Sequence, residues 1–397
     1  MLPNRNHLRY VLGSPVGFSA QPLPPFAPQV RHLLASLSAQ LVADHETRSM
    51  PDVVAFAWWC RKANLQRVAA TYDDGQLRLG RGLALHITPA NTPINFAFSW
   101  AFSLLAGNAN IVRLPNRDFP QVDFLLGHLR LLLANEACTR NAFIRYDHDE
   151  EITSALSALA DVRLIWGGDA TIQAIRKSAL PPRGIDLAFA DRYSLCVLSP
   201  DAVLELDAAA LKQLAVNFFN DTYHMDQNAC SSPHLVVWLG SDTQTAAAQS
   251  RFWTALETEL ELHYQLTTSS AIDKFTQACR DAIELDDNLT ELLRADARLY
   301  RLPLNHIFAG IEERRCSHGY FYEFTTSSLN DLAPIINSKY QTLTYFGLAK
   351  QDLAAFVASN RLRGIDRIVP VGKALDIGLL WDGFDLIRTL SRVCEVT

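Results

Sequence analysis

The chain has 397 residues, enough for a sizeable core and two domains. Its 49% hydrophobic and 20% charged residues exclude a disordered, collagen-like or coiled-coil chain. A formal net charge of −6 leaves no basic excess to attract nucleic acid or an anionic membrane surface.

The opening "MLPNRNHLRYVLGSPVGF" has no continuous apolar stretch, so no signal peptide is expected. Residues 1–80 carry the helical patterns "VRHLLASLSAQLVAD" and "PDVVAFAWWCRKANLQRVA", which are expected to pack around the domain that follows. From about residue 80, short apolar runs alternate with helical ones. "GLALHIT" precedes helical "PINFAFSWAFSLLAG"; strand-like "ANIVRLP" precedes helical "FPQVDFLLGHLRLLLANEA"; then come "DVRLIWGG", "DATIQAIRKSAL" and "YSLCVLSP". Such alternation predicts βαβ crossovers and a doubly wound parallel sheet over residues 81–200. A second α/β domain is expected over 201–360, with a helix at 206–226, the strand "HLVVWLG" and helices at 243–264 and 270–286. The tail 361–397 is too short to fold alone and must dock on another domain or on a partner subunit. The charge-free stretch Ile87 to Val112 is interrupted by Pro89 and Pro93, and it reads as a buried helix rather than a membrane span of ~20 residues.

The seven cysteines, Cys60, Cys138, Cys196, Cys230, Cys279, Cys316 and Cys394, form no CxxC and no cluster with metal-ligand spacing. This odd, scattered set implies reduced thiols in a cytoplasmic protein and no metal centre.

Three places could carry chemistry. In "HMDQNACSSPHLVVWLG", Cys230 follows the polar end of a helix, Asp221, Asp226, Gln227 and Asn228, and precedes a strand. Such a thiol is either a small buried hydrophobe or a nucleophile on a loop held by rigid elements. His224 and His234 flank it, but a strand residue four positions on is displaced by over ~10 Å, which leaves only His224 to weigh as a base. In "HITPANTPINF", Asn91 sits between a strand and a helix, as a cap or as an amide donor to an oxyanion. In "LIWGGDATIQAIRK", Gly167 and Gly168 either make a plain turn or let a phosphate approach a helix N-terminus. Neither GxGxxG nor a P-loop occurs, so any nucleotide is bound in another way.

Taken together, "HITPANTPINFAFSWAFSLLAGNANIVRLP" and "DQNACSSPHLVVW" resemble the aldehyde dehydrogenase superfamily. "AGNANIVRLP", "IWGGDATI", "DQNACSSP" and the tail "RGIDRIVPVGKALD…WDG" are more similar still to the LuxC-type acyl-CoA reductases. The resemblance implies an aldehyde dehydrogenase-like α/β fold, with a nicotinamide-binding domain at 81–200 and a catalytic domain at 201–360. It implies Cys230 as the nucleophile, and Asn91 with the Cys230 backbone N–H as oxyanion donors. Arg113, Gly167, Gly168 and Thr171 would face the cofactor, and Glu323 in "GYFYEF" would hold its ribose, unless it is a surface carboxylate. Hydrolytic relatives carry a general-base glutamate where "AFADRYS" places Ala188. The implied activity is NADPH-dependent reduction of a medium- or long-chain acyl group, from acyl-CoA or an acyl carrier, to the aldehyde, with NADH as the alternative cofactor. A homo-oligomer and an acyl-protein synthetase partner are also implied. The rival readings are an aldehyde dehydrogenase running oxidatively and a non-reducing acyl-binding scaffold.

Overall fold

The alternation of apolar runs after residue 80 winds a six-stranded sheet. In the computed structural model, which describes residues 7–89, 92–133, 139–294 and 296–397, this sheet belongs to a unit made of Met1–Ala190 and Ile377–Thr397. Its elements include β1 (Arg9–Leu12), β3 (Leu83–Ile87), β4 (Ala109–Arg113), β5 (Asn141–Arg145), β6 (Val162–Trp166) and β7 (Ile185–Phe189), while β2 (Arg78–Gly80) pairs elsewhere. The order across the sheet is β1-β5-β4-β3-β6-β7, all parallel except β1 on β5. The winding therefore reverses between β3 and β6, and doubly wound sheets open their ligand crevice at the carboxyl ends of such a pair.

Helices α1 (Pro28–Ala43), α2 (Pro51–Trp59), α3 (Lys62–Thr71), α4 (Asn95–Leu105) and α5 (Pro120–Leu132) build one core, centred on Leu34, Phe56, Trp100 and Leu125. Helices α6 (Glu150–Ser157) and α7 (Asp169–Arg176) contribute Ile152, Leu156, Ile172 and Ile175 to another. Strand β3 feeds both: Ala84 joins the first, while Leu83, Leu85 and Ile87 join the second, as period-two side chains in a sheet covered on both faces must. Every residue of α4 from Phe96 to Leu105 is buried, which explains why its stretch carries no charge. No described helix is long and apolar enough to cross a membrane.

The second unit runs from Asp191 to Asp376. Its strands are β8 (Tyr193–Leu198), β9 (Pro233–Leu239), β10 (Leu293–Arg294), β11 (Tyr300–Pro303), β12 (Tyr320–Thr326), β13 (Tyr340–Phe346) and β14 (Arg367–Pro370), in the order β10-β11-β12-β9-β8-β13-β14. The segment "YSLCVLSP", assigned from the sequence to the first domain, thus lies between β9 and β13 of the second sheet, and the unit boundary falls at 190 rather than 200. All six residues of β8 are buried, so its sequence has no polar face that would reveal which sheet it joins. Helices α8 (Pro200–Leu204), α9 (Ala208–Thr222) and α10 (Asp242–His263) share a core with Val236 and Trp238, whereas α11 (Thr268–Leu285) and α12 (Lys350–Ser359) share one with Leu235 and Val237.

The tail divides. Residues 361–376 stay in the second unit through β14, and Ile377–Thr397 returns to the first. There the hairpin β15 (Leu380–Trp381) and β16 (Phe384–Asp385) leads to α13 (Leu386–Leu390), which buries Leu386, Ile387 and Leu390, and β17 (Ser391–Val393) pairs antiparallel with β2.

Candidate active site

Helix α9 ends in one 3-10 turn, Tyr223–Met225, and the chain then reverses through left-handed residues Asp226 (φ 51°) and Gln227 (φ 60°). Two consecutive non-glycine residues in that region are costly unless the surroundings hold them. The surroundings do. The Gln227 side chain is 1% exposed, and its carbonyl oxygen accepts from the backbone N–H of Gly319 (2.9 Å) and Tyr320 (3.0 Å). Its amide nitrogen donates to the carbonyls of Pro233 (2.9 Å) and Tyr320 (3.0 Å). All four bonding sites of the amide are used.

Cys230 lies three residues further on, partly buried, just ahead of the amino end of β9. Its carbonyl accepts from Ser194 Oγ (2.6 Å) at the start of β8, and Ser194 Oγ in turn accepts from Thr342 N (3.1 Å) near the start of β13. Ser232 Oγ donates to the Asp221 carbonyl (2.7 Å) in α9. The loop is therefore fastened to the amino ends of three strands and to the helix before it. The Asp221 carboxylate, itself buried, accepts from Gly372 N (2.6 Å) and Ala374 N (2.9 Å), joining α9 to the "VPVGKALD" segment. Burial pushes Asp221 up to about 6, against the pull of those two N–H donors.

Beneath the turn at 318–319, the Lys274 ammonium is buried among the carbonyls of Ala297 (2.8 Å), Arg298 (3.0 Å), His318 (2.6 Å) and Gly319 (3.1 Å). Burial draws it down to about 7. Gly319, with φ 84°, has to be glycine, because a Cβ there would lie 2.1 Å from Tyr223 Oη and 2.4 Å from the Arg298 carbonyl.

His234 does not emerge as a base. His234 is buried, stacked on Tyr193 with ring centroids 5.6 Å apart and hydrogen-bonded to the backbone at Cys316; burial pulls it down to about 4, so it is neutral. His224 is exposed on the 3-10 turn.

Glu323 is placed differently from a surface carboxylate. It is 1% exposed in β12; one oxygen accepts from Trp238 Nε1 (2.9 Å) and Trp253 Nε1 (2.7 Å), and the other pairs with Arg301 (2.7 Å). Both oxygens are committed to packing β12 against β9 and α10, and this leaves the ribose-binding role without support.

In the first unit, the crevice between β3 and β6 is set by a buried polar chain. His86 Nε2 donates to Asn110 Oδ1 (3.0 Å), so its Nδ1 accepts from Ser99 Oγ (2.7 Å), which accepts from Trp166 Nε1 (2.9 Å). Burial holds His86 neutral, at about 4. This chain fixes α4 against the ends of β3 and β6. Immediately beyond Trp166, Gly168 caps α7, and a Cβ on it would meet nothing within 4 Å. Thr171 is exposed on the first turn of α7. Arg113, at the carboxyl end of β4, donates to the Tyr146 carbonyl (3.2 Å) and lies over the Tyr146 ring, while its buried Nε has no hydrogen-bond partner. An open helix N-terminus at the switch point and an unsatisfied guanidinium N–H fit the phosphates or ribose of a dinucleotide. Asn91 lies outside the described residues, as does Cys138.

Sequence reasoning missed the roles of Gln227, Ser194, Asp221 and Lys274. Gln227 and Asp221 were visible as the polar end of a helix, but nothing local showed that their side chains turn inward.

Two mostly parallel α/β units of this kind make an aldehyde dehydrogenase-like fold, and solved structures agree. Lactaldehyde dehydrogenase is similar over 92% of this chain and 85% of its own (TM-score 0.64, 11% identity). A benzaldehyde dehydrogenase from Corynebacterium glutamicum is similar over 99% and 95% (0.63, 11%). Methylmalonate-semialdehyde dehydrogenase from Oceanimonas doudoroffii is similar over 94% and 85% (0.65, 10%). At these identities the likeness is one of fold. The chain belongs to the acyl-CoA reductase (LuxC) family, whose model matches residues 57–393. A long-chain acyl-protein thioester reductase from Aliivibrio fischeri is 27% identical over 166 residues, 41% of this chain; the match spans 33% of that relative's length.

Proposed function

We propose that this protein reduces a medium- or long-chain fatty acyl thioester to the aldehyde with NADPH, through an acyl-enzyme on Cys230. The observation that carries this reading is the Cys230 loop, held at both ends by buried side chains in a chain of the acyl-CoA reductase family. A thiol on a rigid loop reacts without an ordering penalty. The Cys230 thiolate attacks the acyl carbon, and the bond to the departing thiol of CoA or an acyl carrier breaks. Asn91 and the Cys230 N–H are the proposed donors to the oxyanion. Hydride from a reduced nicotinamide would add to the acyl carbon, and the C–S bond would then break, releasing the aldehyde and returning the Cys230 thiolate; Gly167, Gly168, Thr171 and Arg113 are the residues proposed to hold the cofactor. Glu323 is left out of that set for the reason given above.

Ala188 lies in β7 with no carboxylate to offer. Without a base at that position, water is a poor competitor for the acyl group. The name of the Aliivibrio fischeri relative supports an acyl-protein as donor alongside acyl-CoA, and with it an acyl-protein synthetase partner. A homo-oligomer in the cytoplasm belongs to the same proposal. The test is cofactor absorbance on mixing the purified protein with dodecanoyl-CoA and NADPH or NADH. Acyl-dependent oxidation with aldehyde formed is expected, faster with NADPH. Acyl binding with no cofactor oxidation would make the protein a scaffold, and a faster reverse reaction would make it an oxidative dehydrogenase.

A further inference from the structure

We infer that Gln227 is a positioning residue for the Cys230 nucleophile. The inference rests on Cys230 being the acylated residue, as proposed above.

Gln227 and Pro233 bracket the five residues that contain Cys230, and the Gln227 amide donates to the Pro233 carbonyl, closing the loop across its own base. The same amide bonds three backbone groups of Gly319 and Tyr320, where β12 begins. One side chain therefore fixes the loop's width and its height on the sheet. The left-handed conformation of Gln227 aims that side chain inward; an extended residue there would send the chain elsewhere. The turn that Gln227 grips is itself immobilised from its other side, since the His318 and Gly319 carbonyls are bonded by Lys274. The loop rests on a turn held from both sides.

Acylation and simple alkylation demand different things of this loop. Alkylation by iodoacetamide needs an accessible thiolate. Acylation also needs the sulfur and its backbone N–H aligned on one acyl carbonyl, and small misplacements there are costly. Loosening the loop should therefore lower acylation and spare alkylation.

The experiment compares wild type, Gln227→Glu and Gln227→Met. Gln227→Glu keeps length and volume but turns an acceptor towards the Pro233 and Tyr320 carbonyls; Gln227→Met keeps length and removes every hydrogen bond. Cys230 acylation by dodecanoyl-CoA is timed by intact mass, and alkylation by iodoacetamide is assigned by peptide mass. In both variants acylation is expected to fall by about 10- to 100-fold, while the rate of Cys230 alkylation holds or rises. Undiminished acylation in a folded variant would overturn the inference. So would equal loss of both reactions, which marks a merely structural side chain. Should neither variant fold, amide hydrogen exchange in the wild type decides: the Gly319 and Tyr320 N–H groups should be protected as strongly as the core of β12, and rapid exchange there would overturn the inference. If wild-type acylation falls on a residue other than Cys230, the nucleophile reading itself fails, an outcome separate from all of these.

Discussion

The Asp221 carboxylate provides a test of the second unit's architecture that needs no substrate. It is 1% exposed and accepts two backbone N–H groups from the segment at 372–374. Asp221→Asn keeps the shape but turns an amide N–H2 towards one of those donors, leaving it unsatisfied at a cost of about 1–3 kcal/mol. The carboxyl also titrates. Its folded value is about 6 against an ordinary 3.8, so the folded state binds the proton more tightly. The corresponding stability is fully present below the ordinary value and is lost as pH rises through the folded one. Between pH 8 and pH 5 the wild type should gain about 1.4 kcal/mol from this group, a gain that Asn cannot show. Other titrating groups cancel in the difference between the two proteins. Urea unfolding at pH 8, 6.5 and 5 should therefore show the stability of wild type minus that of Asp221→Asn rising as pH falls. A difference that stays flat or falls would refute the reasoning, because the two N–H donors would then outweigh burial and hold the carboxylate charged.

Three further substitutions address the site. Cys230→Ala should abolish aldehyde formation while the melting temperature barely moves, since the thiol is only partly buried; aldehyde assay and calorimetry check both halves. Asn91→Ala should lower kcat by roughly 10²–10³, the usual effect of losing one oxyanion donor, with cofactor KM unchanged; a collapse of cofactor binding instead would make Asn91 a cap. Gly168→Ala has room for its methyl group and an ordinary backbone, so stability should hold, while cofactor affinity read by fluorescence titration should drop as the methyl keeps phosphate off the α7 N-terminus.

Much of the fold is legible in the sequence because periodicity reports burial. The helices expected at 243–264 and 270–286 are Asp242–His263 and Thr268–Leu285, and "HLVVWLG" is β9. What periodicity cannot report is partnership. Strand β8 is buried throughout, so its residues say that it is central but not in which sheet. The single helical reading over 51–69 breaks at Cys60 and Arg61, where Arg61 is extended and caps α3; no glycine or proline announces that break. At the site, Cys230 stands out by chemistry, and its loop by the amides around it. The anchoring of that loop is not readable, since three of the four bonds of the Gln227 amide reach more than ninety positions away to Gly319 and Tyr320, and all four go to backbone atoms, which carry no sequence signature. Glu323 shows the opposite failure. Its "GYFYEF" setting resembles a cofactor site, yet two tryptophans and an arginine from neighbouring elements claim its oxygens.

The central claim is a covalent acyl group on Cys230, in a chain that carries alanine at position 188. Intact-protein and peptide mass spectrometry after mixing with dodecanoyl-CoA, with the nicotinamide cofactor left out, tests it most directly. The account predicts a long-lived mass increase of one dodecanoyl group on the peptide containing Cys230, discharged to aldehyde on adding NADPH and to the thioester on adding CoA; Ala188→Glu should shorten its life by releasing free acid. Rapid stoichiometric release of fatty acid with no acylated species, or an acyl group on any other residue, would contradict it.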